Sequence, residues 1–241
     1  MIDPDARSLL FRRWERRSQL TGADREAFSA LPFTLRTFRR DDYVVREGEP
    51  ATECGLLLRG FAFRQKITQR GARQIISFHI AGEFVDLQNC LLQQSDHNVQ
   101  ALTEAEFAMV PVAALADLVA SHPAIARAMW LDTLVDSSVF REWVVNVGRR
   151  DARARIAHLL CELSLRLQAA ESTGHQSCEF PMTQEHLADA TGLTPVHTNR
   201  TLQGLRQEGL ISLAARSLTV LDWPALKEAG EFTELYLHHA A

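Results

Sequence analysis

The chain has 241 residues, enough for two modest domains with cores of their own. Hydrophobic residues make up 46% and charged residues 23%, an ordinary balance for a soluble globular protein, and no run of about 18 apolar residues is available for a membrane span. A net charge of −4 does not advertise a nucleic-acid binder, and it falls unevenly, since residues 151–241 hold 7 basic and 11 acidic side chains.

The first stretch, MIDPDARSLLFRRWERR, lacks the apolar core of a secretory signal, so a cytoplasmic chain with no membrane partner is expected. Residues 5–30 read as an Arg-rich helical stretch in which Leu9, Leu10, Trp14 and Leu20 can pack. Arg12, Arg13, Arg16 and Arg17 can grip DNA or anionic lipid, but the solvated face of a docking helix is the simpler reading, and no role is assigned to them.

From Phe33 to Val112 the texture changes to short apolar runs punctuated by Gly48, Gly60, Gly71 and Gly82, eleven or twelve residues apart. Evenly spaced turns between strands such as Cys54–Arg59, Phe61–Thr68 and Gln74–Ile80 predict an antiparallel roll or barrel. The four cysteines, Cys54, Cys90, Cys161 and Cys178, show no CxxC spacing and read as reduced structural thiols. No Ser-His-Asp order, Gly-rich phosphate loop or HExxH spacing occurs, so no catalytic residue, metal site or cofactor is expected.

Residues 123–150 predict the longest helix, about 40 Å at the α-helical rise. Leu131, Leu134, Val135 and Val145, with Ser138 between them, can line one face, while Met129, Phe140, Trp143 and Val147 lie on another. Apolar residues on two sides suit a helix pressed between its own β-domain and a partner helix, or one buried within a single chain. Asp151 can cap a following helix, Ala152 to Gln168, which makes Asn146 to Asp151 (NVGRRD) the boundary. The expected organisation is thus 1–122, a helical segment and β-domain; 123–150, the long helix; and 151–241, the C-terminal domain, in which residues 170–180 form a polar loop or short hairpin.

Thr183 to Ile211 reads as two short helices and a tight turn. Thr183 can cap the first helix, with Glu185 in its first turn and Leu187 and Ala190 facing inward; Gly192 ends it by supplying a left-handed conformation. Thr194-Pro195 opens the second, since Thr is a good N-cap and Pro is tolerated at the first helical position. Thr198, Leu202 and Leu205 make its buried stripe; Val196, Asn199, Arg200 and Gln203 line a presentable polar face. Gly209 closes it, and the runs Leu210–Leu213 and Leu218–Leu221, around a turn at Ala214-Ala215-Arg216-Ser217, predict a hairpin. Helix, turn, helix and hairpin make a winged helix-turn-helix, whose second helix fits the DNA major groove.

This segment resembles the DNA-binding domain of the CRP/FNR family of bacterial transcription regulators, and the similarity extends over residues 30 to 225 in matching order. The resemblance implies an α+β fold: an N-terminal antiparallel β-roll of the cyclic-nucleotide-binding kind acting as sensor, a long dimerisation helix, and the C-terminal winged helix-turn-helix. It implies a homodimer on double-stranded DNA, joined through Leu131, Leu134, Val135, Ser138 and Val145, with RNA polymerase as a further partner if the protein activates. Thr194, Val196, His197, Asn199, Arg200, Gln203, Arg206 and Arg216 form the expected DNA-binding set; Arg200 matches the family's guanine-reading arginine, and Val196 stands where a base-reading Glu is frequent. Family members that carry an iron-sulfur cluster use cysteines near the N-terminus, and none precedes Cys54.

In the family's cyclic-nucleotide binders a Gly-Glu pair holds the ribose and a later Arg-Ser or Arg-Thr pair neutralises the cyclic phosphate. Here the run GEFVDLQNCLLQQSDHNVQALT, beginning at Gly82, puts Asp86-Leu87 and His97-Asn98 at those places. Neither contact survives, so no response to cyclic AMP is expected, and a pocket lined by Phe78, Phe84, Leu87, Leu91 and Val99 would take an unknown small-molecule effector. His79, Asp86, Cys90 and His97 also invite a metal or haem, although lone histidines in a barrel are usually satisfied by backbone. A second function class is a ligand-binding or protein-interaction module of the same fold that has lost DNA binding, which the acidic C-terminal part favours.

Overall fold

The computed structural model describes residues 4–15, 18–171 and 177–238. The N-terminal stretch forms α1 (Pro4–Glu15) and α2 (Gly22–Ser29), the latter opened by a reciprocal capping box between Thr21 and Asp24. Strands β1 (Thr34–Phe38), β2 (Tyr43–Val45), β3 (Glu53–Arg59), β4 (Ala62–Ile67), β5 (Arg73–His79), β6 (Phe84–Val85), β7 (Asn98–Ala101) and β8 (Ala105–Pro111) follow, with a 3-10 turn at Leu87–Cys90. They form two four-stranded sheets, ordered β1-β8-β3-β6 and β2-β7-β4-β5, the predicted antiparallel roll. All four of its rhythm-setting glycines, Gly48, Gly60, Gly71 and Gly82, have φ between 81° and 86°. Then come α3 (Val112–Ser121), α4 (Pro123–Arg149), α5 (Ala152–Glu171), β9 (Ser177–Glu179), α6 (Gln184–Thr191), α7 (Pro195–Gln207), β10 (Ile211–Ala214), β11 (Ser217–Val220) and α8 (Trp223–Ala229).

The chain divides into two compact units, one taking the residues up to Gln65 and Phe78–Ser137, the other Lys66–Ser77 and Ser138–His238. In the first, Leu10 and Trp14 of α1 are fully buried with Phe28, Leu56, Phe84 and Leu115. Trp14 stacks on Phe84 at 6.1 Å and meets Phe28 edge-on at 5.4 Å, while its Nε1 donates to Asp132 at 2.8 Å. Arg13 corrects the solvated-face reading of the N-terminal arginines. It ion-pairs with Asp132 and Glu83, both at 3.0 Å, because a carboxylate as buried as Asp132 needs a charged partner. Arg16 and Arg17 lie outside the described residues.

In the second unit α5 is the centre. Its Glu162 is wholly buried and accepts from Trp143 Nε1 and the Tyr236 hydroxyl, both at 2.9 Å, and from Arg166 at 3.0 Å. One turn earlier His158 Nδ1 donates to the Gly230 carbonyl at 3.0 Å. A Cβ on Gly230 would stand 2.6 Å from the His158 backbone nitrogen, so only glycine lets the chain after α8 lie this close to α5. Among the described residues no helix is long and apolar enough to cross a membrane.

Burial, reinforced by the charge of Arg150, lowers the His158 pKa from 6.5 to about 4 against the contrary pull of the Gly230 carbonyl and Glu142. An unfolded histidine protonates near 6.5, so between 6.5 and about 4 the unfolded chain binds the extra proton. The stabilisation is therefore fully present above that window and is lost as pH falls through it, by about 3 kcal/mol at its lower end. Urea melts across this range should show that descent, and His158→Gln should make it shallower; His79, whose pKa burial lowers, adds to the remaining slope and Asp136, whose carboxyl pKa burial raises, opposes it. An unchanged slope in the variant would contradict the assignment.

Candidate functional site

The helix-turn-helix is built from local signals. Thr183 caps α6 by accepting from the His186 N–H at 3.2 Å, and Gly192 ends it at φ 65°, in the left-handed region that closes a helix without a Cβ penalty. Arg155 of α5 secures the same corner by donating to the Thr191 carbonyl at 3.0 Å. Thr194 then caps α7, accepting from the His197 N–H at 3.2 Å, with Pro195 at the first helical position.

Buried Thr198, Leu202 and Leu205 fix the rotation of α7 about its axis. That phase leaves Thr194, Val196, His197, Arg200, Gln203 and Arg206 exposed, and Asn199 half-buried beside them. Val196 is 72% exposed, an apolar side chain standing among polar ones at the start of the helix. Glu208, the C-cap of the helix, is engaged by Arg153 of α5.

The hairpin β10–β11 pairs Ala214 with Ser217, and β9 joins its other edge. Its two turn residues, Ala215 and Arg216, have φ of 48° and 61°. A two-residue hairpin turn with both residues left-handed is a type I′ turn, which favours Asn-Gly; Ala and Arg occupy it at a steric cost. Arg216 is thereby held exposed at the tip, its carbonyl accepting from the Phe180 N–H at 2.7 Å.

The proposed dimer residues separate. Leu134 is 50% exposed and Val145 is exposed, Leu131 is half-buried, and Val135 and Ser138 are buried within the chain. The outward apolar stripe of α4 is Trp130, Leu134, Val144 and Val145; the sequence does not single out Trp130 and Val144, because apolar residues on two sides of a helix leave its phase undetermined.

In the roll, the two sequence stretches compared with the nucleotide cassette meet each other. Asp86, only 1% exposed and held at φ 64°, accepts from Arg64 at 2.7 Å and from Gln88 at 3.0 Å, and contacts His97 Nε2 at 2.8 Å. His97 Nδ1 meets Asp96 at 2.6 Å. Burial pushes the Asp86 carboxyl up, but the His97 hydrogen bond and the Arg64 charge outweigh it and hold the group below the usual carboxylate range. Arg64 had no sequence signal, since it sits in a strand whose neighbours Phe63 and Gln65 are also buried.

The expected pocket lining is dispersed. Phe84 and Leu87 pack into the core with Trp14, Val99 packs with Leu57 and Phe107, and Phe78 is fully buried. Leu91 is 90% exposed and lines nothing, because it follows the 3-10 turn and points outward. Asn98 accepts from the Glu47 N–H at 3.0 Å. His79 faces Glu83 at 3.6 Å, and among the described residues no three His, Cys, Asp or Glu side chains converge as metal ligands would.

Comparison with known proteins agrees with this architecture. Residues 35–122 match the cyclic nucleotide-binding domain and residues 154–229 the Crp-like helix-turn-helix domain. The chain is similar to the transcriptional activator protein FnrL of Cereibacter sphaeroides, 26% identical over 81% of this chain and 80% of the relative. It is also similar to the nitrogen fixation regulation protein FixK of Bradyrhizobium diazoefficiens, 27% identical over 88% and 87%. The solved structure of FixK2 from Bradyrhizobium japonicum shares its fold with a TM-score of 0.77 at 23% identity, covering 84% of this chain and 100% of that one. With both domain matches in the order that the roll and the winged helix-turn-helix occupy along the chain, the protein belongs to the Crp/Fnr family of transcription regulators.

Proposed function

We propose that the protein is a sequence-specific DNA-binding transcription regulator, not an enzyme, and that it acts as a homodimer on a pseudo-palindromic operator. One observation carries this reading: α7 buries Thr198, Leu202 and Leu205 and leaves a continuous face of Val196, His197, Arg200 and Gln203 exposed on a rigidly capped helix. In a major groove Arg200 can pair with the O6 and N7 of guanine and Gln203 with the N6 and N7 of adenine. Val196 has no hydrogen-bonding group and cannot accept from cytosine as a glutamate would; contact with a thymine methyl is the readout open to it. Thr194 and Arg206 on α7 and Arg216 at the wing tip are exposed and suit phosphates, and Asn199 is half-buried beside the exposed residues.

Two-fold symmetry would set two copies of α7 in successive major grooves, about 34 Å apart along the duplex. The exposed stripe Trp130, Leu134, Val144 and Val145 is the surface a second copy would cover, with Leu131 at its margin. Pairing also offsets the acidic balance of residues 151–241 by doubling the phosphate contacts. The relatives named as transcriptional activators favour activation, with RNA polymerase as a further partner.

The sensor roll is read as indifferent to cyclic AMP. Its buried arginine, Arg64, already pairs with Asp86, so a cyclic phosphate would have to break that pair and leave a desolvated carboxylate beside its own charge. An effector in this roll would be a less charged small molecule.

Arg200→Ala should weaken binding to an operator selected from random DNA by about 1–3 kcal/mol while leaving the melting temperature unchanged; equal affinity of variant and parent would refute the assignment. Arg216→Gly should act in opposite directions on two readouts. It relieves a left-handed turn position and raises stability by roughly 0.5–1 kcal/mol, yet it lowers affinity for all DNA and reduces the salt slope by about one. Leu134→Asp places a charge on the proposed seam, and sedimentation should show monomer where the parent sediments as dimer; a parent that stays monomeric at about tens of micromolar, far above common dimer dissociation constants, would contradict the homodimer. Titration calorimetry with cyclic AMP and cyclic GMP should show no saturable binding below about millimolar, and a micromolar constant for either would overturn the reading of the roll.

A further inference from the structure

Two cysteines far apart in sequence meet inside the sensor roll. Cys54, on β3, is 1% exposed and its thiol donates to the Asp86 carbonyl at 3.2 Å. Cys90 closes the 3-10 turn that starts immediately after Asp86, and it is partly exposed. Both belong to one apolar cluster, Cys54 within it and Cys90 packed against it, and β3 touches the 3-10 turn that Cys90 ends. Cys161 and Cys178, by contrast, are each buried in the other compact unit.

We propose that Cys54 and Cys90 form a peroxide-reactive pair, Cys90 the attacking sulfur and Cys54 the resolving one, which closes to an intramolecular disulfide. The division of labour follows from access and acidity. The neighbouring Cys54 lowers the Cys90 thiol pKa against the opposing effect of burial, whereas Cys90 and burial both raise that of Cys54. The exposed member is thus the better thiolate, and the buried member keeps its proton until a sulfenic acid stands beside it. Burial also pushes the Cys161 thiol up to about 12, which leaves it inert.

The co-reactant is hydrogen peroxide. Cys90, having released its proton to solvent, attacks one peroxide oxygen as thiolate; the O–O bond breaks, Cys90 becomes a sulfenic acid, and the departing hydroxide takes up a proton as water. Cys54 sulfur then attacks the Cys90 sulfur, the S–O bond breaks, and the leaving hydroxyl takes the Cys54 proton to give a second water. Two thiols are oxidised by two electrons and one peroxide is reduced to two waters. The product no longer has the Cys54 hydrogen that bonds the Asp86 carbonyl, so the reaction acts on the segment that carries Asp86.

The test uses the full chain, reduced and then exposed to hydrogen peroxide, with remaining thiols alkylated and the protein and its peptides weighed. The expected result is loss of two of the four free thiols, a mass lower by two hydrogen atoms, and a Cys54–Cys90 cross-link within one chain. Cys54→Ser should instead accumulate a sulfenic acid on Cys90 that dimedone traps, and Cys90→Ser should leave Cys54 unreacted. Four alkylated thiols after excess peroxide, or a cross-link that involves Cys161 or Cys178 or joins two chains, would overturn the proposal. The parent protein alone decides between these outcomes, so a variant that folds poorly does not spare it.

Discussion

Asp86 is a carboxylate that water does not reach, and much of the β-roll is arranged to make that tolerable. Arg64 supplies a full opposite charge from β4, His97 a ring nitrogen from the start of β7, and Gln88 an amide from the turn that Asp86 itself begins. Taking away one partner of such a pair strands the other in a medium that cannot solvate it, a loss of about 3–5 kcal/mol. The same residue holds a left-handed backbone conformation and offers its carbonyl to Cys54. Strand, turn and thiol are therefore tied to one desolvated group, in the roll that the cyclic nucleotide-binding domain match covers.

The helix-turn-helix solves a different problem with smaller terms. Each threonine cap satisfies an otherwise orphaned N–H and contributes about 1 kcal/mol, Gly192 removes a steric penalty, and three buried side chains set the phase of α7. No single term dominates, and none of them involves the outward residues of α7. The wing departs from this economy: Ala215 and Arg216 occupy positions that Asn-Gly would fill with less strain. Keeping an arginine there is costly for folding, and it sets a full charge at the exposed tip of the wing.

Which features could be read from the residues follows from the range of the interactions that fix them. Thr183, Gly192, Thr194 and Gly209 act within one turn of chain, so the boundaries of α6 and α7 and the position of the hairpin were visible at once. The glycine rhythm of the roll was visible for the same reason. The inward side of α4 was not, because Val135 and Ser138 are buried by contacts distant in sequence while Leu134 and Trp130, equally apolar in the alphabet, stay exposed. Arg64 escaped notice because a buried arginine in a strand looks like any solvated one until Asp86 and His97 are found beside it. Arg13 gives no sign of burial in the sequence on the same ground, its partners Asp132 and Glu83 lying far along the chain. Cys54 and Cys90 carry no spacing that announces a pair.

The outward stripe of α4 has an optical consequence. Of the four tryptophans, Trp14 and Trp143 are buried and Trp223 is half-buried, whereas Trp130 is 68% exposed. An indole in water emits at longer wavelength than one in an apolar surround, so the red edge of the intrinsic fluorescence belongs to Trp130. Covering that stripe with any apolar surface would move this emission to the blue and shield it from iodide or acrylamide, while the buried indoles would not respond. The chain thus carries its own fluorophore on the outward stripe of α4.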